Sequence, residues 1–190
     1  MKKIIFSLST LIFTILPASQ IISCQNKPEP DEDYFIPNLK EQPKSIEEIE
    51  ILACEAYDKN RTYTEISTNK WDEYKNSIPN WNQLSQKERD KHNVSFNLNS
   101  MESQKQYIFY FWVNTYEYKI YQFNPEYDKT LTTPNGNKLN ISAQNNHSYD
   151  RVLKLYLEDQ FITKETKDHI QKIYNWGMQE NPNTTSKKEK

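Results

Sequence analysis

The predicted fold depends on the stretch QYIFYFWVNTYEYKIYQF, residues 106–123. Its first eight residues, Gln106–Val113, are almost all apolar or aromatic, which is typical of a strand buried on both faces. The next residues alternate at first, with Glu117 between Tyr116 and Tyr118, as in a strand with one buried face. The stretch therefore predicts two aromatic strands joined near Asn114, or one long bent strand.

A hairpin signal follows this aromatic stretch. Pro134-Asn135-Gly136-Asn137 separates Lys129–Thr133 from Lys138–Ser142. Asn-Gly is typical of a type I′ turn, in which both central residues have positive φ. Together with the aromatic stretch, this hairpin predicts a small antiparallel, aromatic-rich sheet of about three to four strands.

Helices are predicted on either side of the sheet. Ser45 and Glu48 form a capping-box pair that begins a helix ending near Asp58. Shorter helices are predicted at 69–77 and 85–92. Near the end of the chain, Ser148 and Thr163 each precede a helical apolar pattern. The sequence thus predicts an α+β fold in which the sheet packs with an N-terminal helix and a C-terminal helix hairpin, which Gly177 ends.

Composition limits the possible functions. The chain has 190 residues, which favours one domain, and a net charge of −2. Basic residues form no stripe, so no nucleic-acid partner is predicted. The chain has two cysteines, Cys24 and Cys54, and only two glycines. Asn, Lys, Ile and Tyr are abundant, as expected for an A/T-rich genome.

The first 24 residues have the pattern of an export signal. Lys2 and Lys3 precede the apolar stretch Ile4–Leu16. This stretch is shorter than the about 20 residues that span a bilayer, and it suits a secretory leader. A transmembrane anchor with a free cysteine, or a buried N-terminal helix, is the alternative.

The end of this segment, Ile21-Ile22-Ser23-Cys24, resembles the lipobox of bacterial lipoprotein precursors. The resemblance implies cleavage between Ser23 and Cys24 and attachment of lipid, such as palmitate, to the cysteine. The mature protein would then be held on the extracytoplasmic face of the cell membrane. Leader and composition together are similar to surface lipoproteins of wall-less A/T-rich bacteria, with those of spirochaetes as a second possibility.

These patterns divide the chain into four parts. Residues 1–23 are the predicted signal peptide, and residues 24–44 are the lipidated cysteine with a tether rich in proline and charge. Residues 45–180 are predicted to be a single globular α+β domain. Residues 181–190 are predicted to be a disordered tail.

Few residues suggest catalysis. His147 and Asp150, spaced i, i+3, and His169 are the weak candidates for a general base. Ordinary helix capping is the favoured explanation of the first two. The sequence contains no Gly-x-Ser-x-Gly elbow and no glycine-rich phosphate loop. Neither a metal site nor a cofactor is predicted.

Aromatic density is the feature that suggests binding. Tyr110, Trp112, Tyr116 and Tyr118 would form a ring-rich patch for a protein or carbohydrate if one sheet face were open. If helices cover both faces, the same rings are core. The function predicted is a membrane-anchored surface lipoprotein that acts as a binding module. The alternatives are an extracytoplasmic hydrolase using the histidines and Asp150, and a small solute-binding lipoprotein.

Overall fold

The computed structural model describes residues 41–143 and 148–180. The predicted signal peptide at 1–23, the lipidation site Cys24, the tether up to residue 40 and the predicted disordered tail at 181–190 lie outside the described residues. His147 also lies outside them. No helix in the described ranges has the length and apolar character needed to cross a membrane.

The described chain is mostly helical, with one small antiparallel sheet of two strands. An α+β description is compatible with this arrangement. The elements in chain order are α1 Ile46–Ser77, a 3-10 turn Trp81–Gln83, α2 Gln86–Asn99, α3 Met101–Phe123, β1 Asp128–Thr132, β2 Lys138–Ser142, α4 Tyr149–Glu158 and α5 Lys164–Gly177.

Helix α3 replaces the predicted aromatic strands, so the strand interpretation of residues 106–123 is wrong. This helix contacts α1, α2, α4 and α5. Most of its circumference is therefore buried, and apolar side chains are needed on several sides. A helix packed in this way has the same unbroken apolar sequence as a central strand.

Helix α1 begins where Ser45 accepts a hydrogen bond from the backbone N–H of Glu48, at 3.2 Å. It continues past Asp58, where the sequence places its end, to Ser77. The predicted short helix at 69–77 is therefore the last part of α1. No glycine or proline interrupts this stretch before Pro79.

Helices α1 and α3 pack antiparallel. Asn60 donates to the Gln106 carbonyl at 2.9 Å, and farther along α1 the hydroxyls of Ser67 and Ser103 lie 2.6 Å apart. Both serines are buried, as is Ala53. These small side chains allow the two helices to approach closely.

The hairpin lies where it was predicted, but its turn is different. The Gly136 N–H donates to the Thr133 carbonyl at 2.9 Å, which makes Pro134 and Asn135 the central residues. Only Gly136 has positive φ in this turn, at 79°. The predicted type I′ turn is wrong, because Pro134 fixes φ near −65° and favours a type I turn followed by a left-handed glycine.

The C-terminal helices form a hairpin joined through Phe161. Thr163 caps α5 by accepting from the Thr166 N–H at 3.2 Å. Ser148 stands at the start of α4 but makes no side-chain capping bond. Buried Gln104 of α3 holds the linker, because its amide donates to the Phe161 carbonyl and accepts from the Thr163 N–H, both at 2.9 Å.

The core combines rings with isoleucines. The fully buried apolar residues include Ile49, Phe111, Ile120, Ile141, Ile170 and Ile173. Residues just before α1 also pack on the domain. Pro43 is buried, and Gln42 donates to the Trp176 carbonyl at 3.1 Å. The end of the predicted tether is thus part of the folded body.

Candidate functional site

Five rings cluster where α1 ends and α2 begins, and we call them the aromatic tip. Trp71 and Tyr74 lie on α1, Trp81 on the 3-10 turn, and His92 and Phe96 on α2. Their neighbouring ring centroids are 5.1–5.9 Å apart. The spacings i, i+3 on α1 and i, i+4 on α2 place each pair on one helix face.

Local sequence brings these elements together. Ile78 leaves α1 in an extended conformation, and Pro79 follows it. Asn80 has φ 57°, in the left-handed region that Asn tolerates better than most residues. Ser85 and Glu88 then form a full capping box that begins α2. The chain thereby reverses direction and carries α2 back along α1.

The rings of the aromatic tip are all half-buried. Helix α2 contains no buried residue at all, and its Leu98 is exposed. The hydroxyl of Tyr74 lies 2.9 Å from Nδ1 of His92 and fixes the two rings relative to each other. The tip is therefore ordered by its own contacts while one side of its rings faces solvent.

A groove of about 270 Å³ opens beside the tip, between the end of α1 and the α2–α3 junction. Tyr74 and Phe96 supply its rings, and Lys70 and Glu102 form an ion pair of 2.6 Å in its wall. Burial opposes ionisation of Glu102, but the hydrogen bond from Lys70, a backbone hydrogen bond, the charge of Lys70 and a bond from Ser100 together outweigh it and lower the pKa of the carboxyl group. The remaining lining groups are polar, from Ser95, Asn99 and Ser100.

Arg89 adds an unused donor on the same side of α2. It precedes His92 and Phe96 at i, i+3 and i+7, so the three share a helix face. Its Nε is shielded from solvent and has no acceptor in the described part of the chain.

A larger groove, of about 480 Å³, runs along α1 beneath the hairpin loop. Its lining is polar and includes Asp58, Arg61 and Glu65. Both carboxylate oxygens of Asp58 already accept hydrogen bonds from the hairpin loop. Asp58 therefore holds the fold together and is not presented to a ligand.

The structure separates the four rings that the sequence groups as a binding patch. Trp112 and Tyr116 are buried and stack on each other at 5.2 Å. Tyr118 stacks on Tyr149 at 4.6 Å and is half-buried. Tyr110 alone is largely exposed, at 50%. The four rings do not form one open patch, because a helix, unlike a strand, distributes these positions around its axis.

The catalytic candidates have structural partners. Asp150 accepts a hydrogen bond from the Tyr174 hydroxyl. Nδ1 of His169 lies 2.8 Å from the Glu165 carbonyl of its own helix. His147 and the lipobox residues Ile21, Ile22, Ser23 and Cys24 lie outside the described residues. Among the residues that are described, no three His, Cys, Asp or Glu side chains gather as a metal site.

From the sequence, Trp71 and Trp81 are predicted to be half-buried lids over the core, and no binding cluster is predicted there. The signal that sequence analysis missed is the pairing of rings at helical intervals, Trp71 with Tyr74 and His92 with Phe96, in a stretch that is mostly polar. Comparison with protein-family models, curated proteins and solved structures gives no match for this chain.

Proposed function

We propose that this chain is a lipid-anchored bacterial surface protein whose helical domain is a binding module. The anchor is supported by the order of Lys2-Lys3, the apolar stretch Ile4–Leu16 and Ile21–Cys24. Two acyl chains on Cys24 would hold the protein stably at a membrane, whereas one chain binds reversibly.

The observation that carries the binding role is the position of the aromatic tip along α1. Helix α1 begins at Ile46, and Trp71 lies near its other end. At about 1.5 Å rise per residue, the two are separated by roughly 37 Å. Solvent-facing rings at the end of α1 far from Ile46 are placed to meet an external partner.

Metabolic labelling with palmitate tests the anchor. The natural chain should incorporate label and partition with membranes, and Cys24→Ala should do neither. Treating intact cells with a protease should remove the natural domain, because it lies outside. Equal label in both chains, or a domain protected in intact cells, contradicts the proposal.

Attachment of liposomes carrying the full-length protein tests the binding role. Immobilised mucin and fibronectin serve as probes. Trp81→Ala should weaken attachment at least about fivefold, while Tyr110→Ala, in the patch suggested by the sequence, should leave it unchanged. Circular dichroism verifies that both variants fold. Absence of attachment to both probes, or loss with Tyr110→Ala alone, contradicts a binding role for the tip.

A further inference from the structure

We infer that the groove beside the aromatic tip binds a neutral carbohydrate, one or two sugar rings of an oligosaccharide. This inference rests on the proposed function and names the ligand class of the same site. The groove offers about 270 Å³, slightly below the roughly 300–1,000 Å³ of pockets for drug-sized ligands. Its size therefore suits a small ligand or the end of a chain.

One wall of the groove is aromatic. Tyr74 and Phe96 have ring centroids 5.5 Å apart and planes inclined by 35°, so the two rings contact each other and together form the aromatic platform of the groove. A pyranose ring presents a face of C–H groups that packs on such a surface. Because the His92 bond fixes Tyr74, the platform exists before the ligand arrives.

The other wall is polar and uncharged overall. Lys70 supplies donors and Glu102 supplies acceptors, while Asn99 supplies both. A sugar hydroxyl both donates and accepts, and neighbouring hydroxyls can engage both members of an ion pair through charge-assisted bonds. Since the charges of Lys70 and Glu102 cancel, the groove does not select for a charged sugar.

A protein surface fits the groove less well. A stable protein interface buries about 800 Å² per partner, and lysine and glutamate are depleted at its centre. An apolar partner covering this site would desolvate the Lys70–Glu102 pair, whose side chains are 49% and 22% exposed, without replacing its water hydrogen bonds. Sugar hydroxyls replace those bonds directly.

The test uses full-length protein in detergent on an array of immobilised neutral, N-acetylated, sialylated and sulfated oligosaccharides. We expect binding to neutral or N-acetylated glycans that changes less than about twofold between 50 and 500 mM salt. Phe96→Ala should weaken it at least about tenfold by removing half of the aromatic platform. Lys70→Gln should weaken it while the thermal melt stays near that of the natural chain.

Leu155→Ala is the matched control, since Leu155 is an exposed apolar residue on α4, 62% exposed. It should leave glycan binding unchanged. Binding restricted to sialylated or sulfated glycans and lost at high salt overturns the inference. So does attachment to mucin or fibronectin that persists after enzymatic deglycosylation, an outcome that leaves the proposed binding module intact.

Discussion

Thr133, the first residue after β1, donates a 2.6 Å hydrogen bond from its hydroxyl to Oδ1 of Asp58 in α1. The Asn137 amide donates to the same oxygen at 2.7 Å, and the Asn135 N–H donates to Oδ2 at 3.0 Å. Burial opposes ionisation of Asp58, but these bonds outweigh it and lower the pKa of the carboxyl group. One carboxylate thus holds the hairpin loop against α1.

Asp58→Asn should lower the free energy of unfolding by about 2 kcal/mol at pH 7. The amide retains one acceptor and places an NH₂ group against donors of the loop, and bonds to a charged acceptor contribute roughly 1.5–3 kcal/mol. Denaturant unfolding measures the difference. Glu65→Gln, an exposed substitution on the same helix, should change stability by no more than about 0.5 kcal/mol.

The same variant predicts a pH dependence. Folding lowers the pKa of Asp58. Its contribution to the free energy of unfolding is therefore complete above its pKa in the unfolded chain, about 3.9, and is lost as pH falls through its pKa in the folded chain. The difference in free energy of unfolding between the natural chain and Asp58→Asn should therefore become smaller as pH falls from 6 towards 3. A gap that stays constant over this range would show that the carboxylate charge is not what stabilises the loop.

Much of the local structure could be predicted from sequence because it depends on neighbouring residues. Ser45 and Ser85 cap helices through pairs with a glutamate three residues later, and the hairpin strands needed only a turn between two β-prone segments. The type of turn was predicted wrongly. Asn-Gly alone indicates a type I′ turn, but the fixed φ of Pro134 selects a type I turn followed by a left-handed glycine.

The larger error concerned α3, where the decisive information is non-local. Whether an apolar stretch is strand or helix depends on what surrounds it, and α3 is surrounded by four helices. One signal was present in the sequence. Tyr110, Asn114, Glu117 and Tyr121 recur at i, i+4, i+7 and i+11, and none of them is buried. That interval is helical, since a strand would expose every second residue.

The aromatic tip was missed for a related reason. Its rings come from two helices and a turn, and their proximity follows from the reversal at Asn80. Since α2 buries none of its residues, its apolar pattern is weak and gives little indication of which face contacts α1. Contacts formed by chain reversal are thus harder to predict than caps.

Gly177→Ala should destabilise the fold, although Gly177 lies within α5 and alanine favours helix. An added Cβ would lie 2.8 Å from the Tyr149 hydroxyl and 2.9 Å from Cγ2 of Thr115. Overpacking costs about 1–3 kcal/mol of stability. The higher helix propensity of alanine recovers at most about 1 kcal/mol, so the cost is the larger effect. Thermal unfolding followed by circular dichroism measures the balance.

Tyr149→Phe provides the control for this contact. By itself this substitution should lower the free energy of unfolding by about 1 kcal/mol, because it removes the 2.7 Å hydrogen bond between the hydroxyls of Tyr149 and Thr115. In the Phe background, Gly177→Ala should cost less than in the natural chain. Additive costs would mean that the hydroxyl is not the obstacle.

Lys119→Met should change how stability depends on pH between 7.5 and 9.5. Lys119 is fully buried, and its ammonium contacts the Gln179 carbonyl at 2.5 Å and the Trp176 ring at 5.3 Å. Burial lowers the pKa of Lys119 to about 8. In this range the unfolded chain binds the proton more tightly than the folded one, so the stability of the natural chain rises with pH relative to the variant.

Between the two pH values, the natural chain should gain on the order of 1 kcal/mol in free energy of unfolding relative to Lys119→Met, since one pKa unit corresponds to about 1.4 kcal/mol. Urea unfolding of both chains at the two pH values measures it. The range stops below about pH 10, where tyrosines of an unfolded chain begin to ionise. Parallel pH profiles for the two chains would show that the ammonium carries no burial cost.

Cys54 should be nearly inert in the folded protein and serve as the internal reference for the anchor. It is 8% exposed on α1, and burial raises the pKa of its thiol, with the negative charge of Asp58 adding to the effect. Because the thiolate is the reactive form, iodoacetamide at pH 8 should alkylate native Cys54 at least about tenfold more slowly than the denatured chain.

Mass spectrometry of the denatured, alkylated mature protein then counts free thiols and tests the anchor. If lipid occupies Cys24, the natural chain gains one alkyl group and Cys54→Ser gains none. Two alkyl groups on the natural chain would mean that Cys24 is free, and the proposed anchor would fail while the helical fold stands.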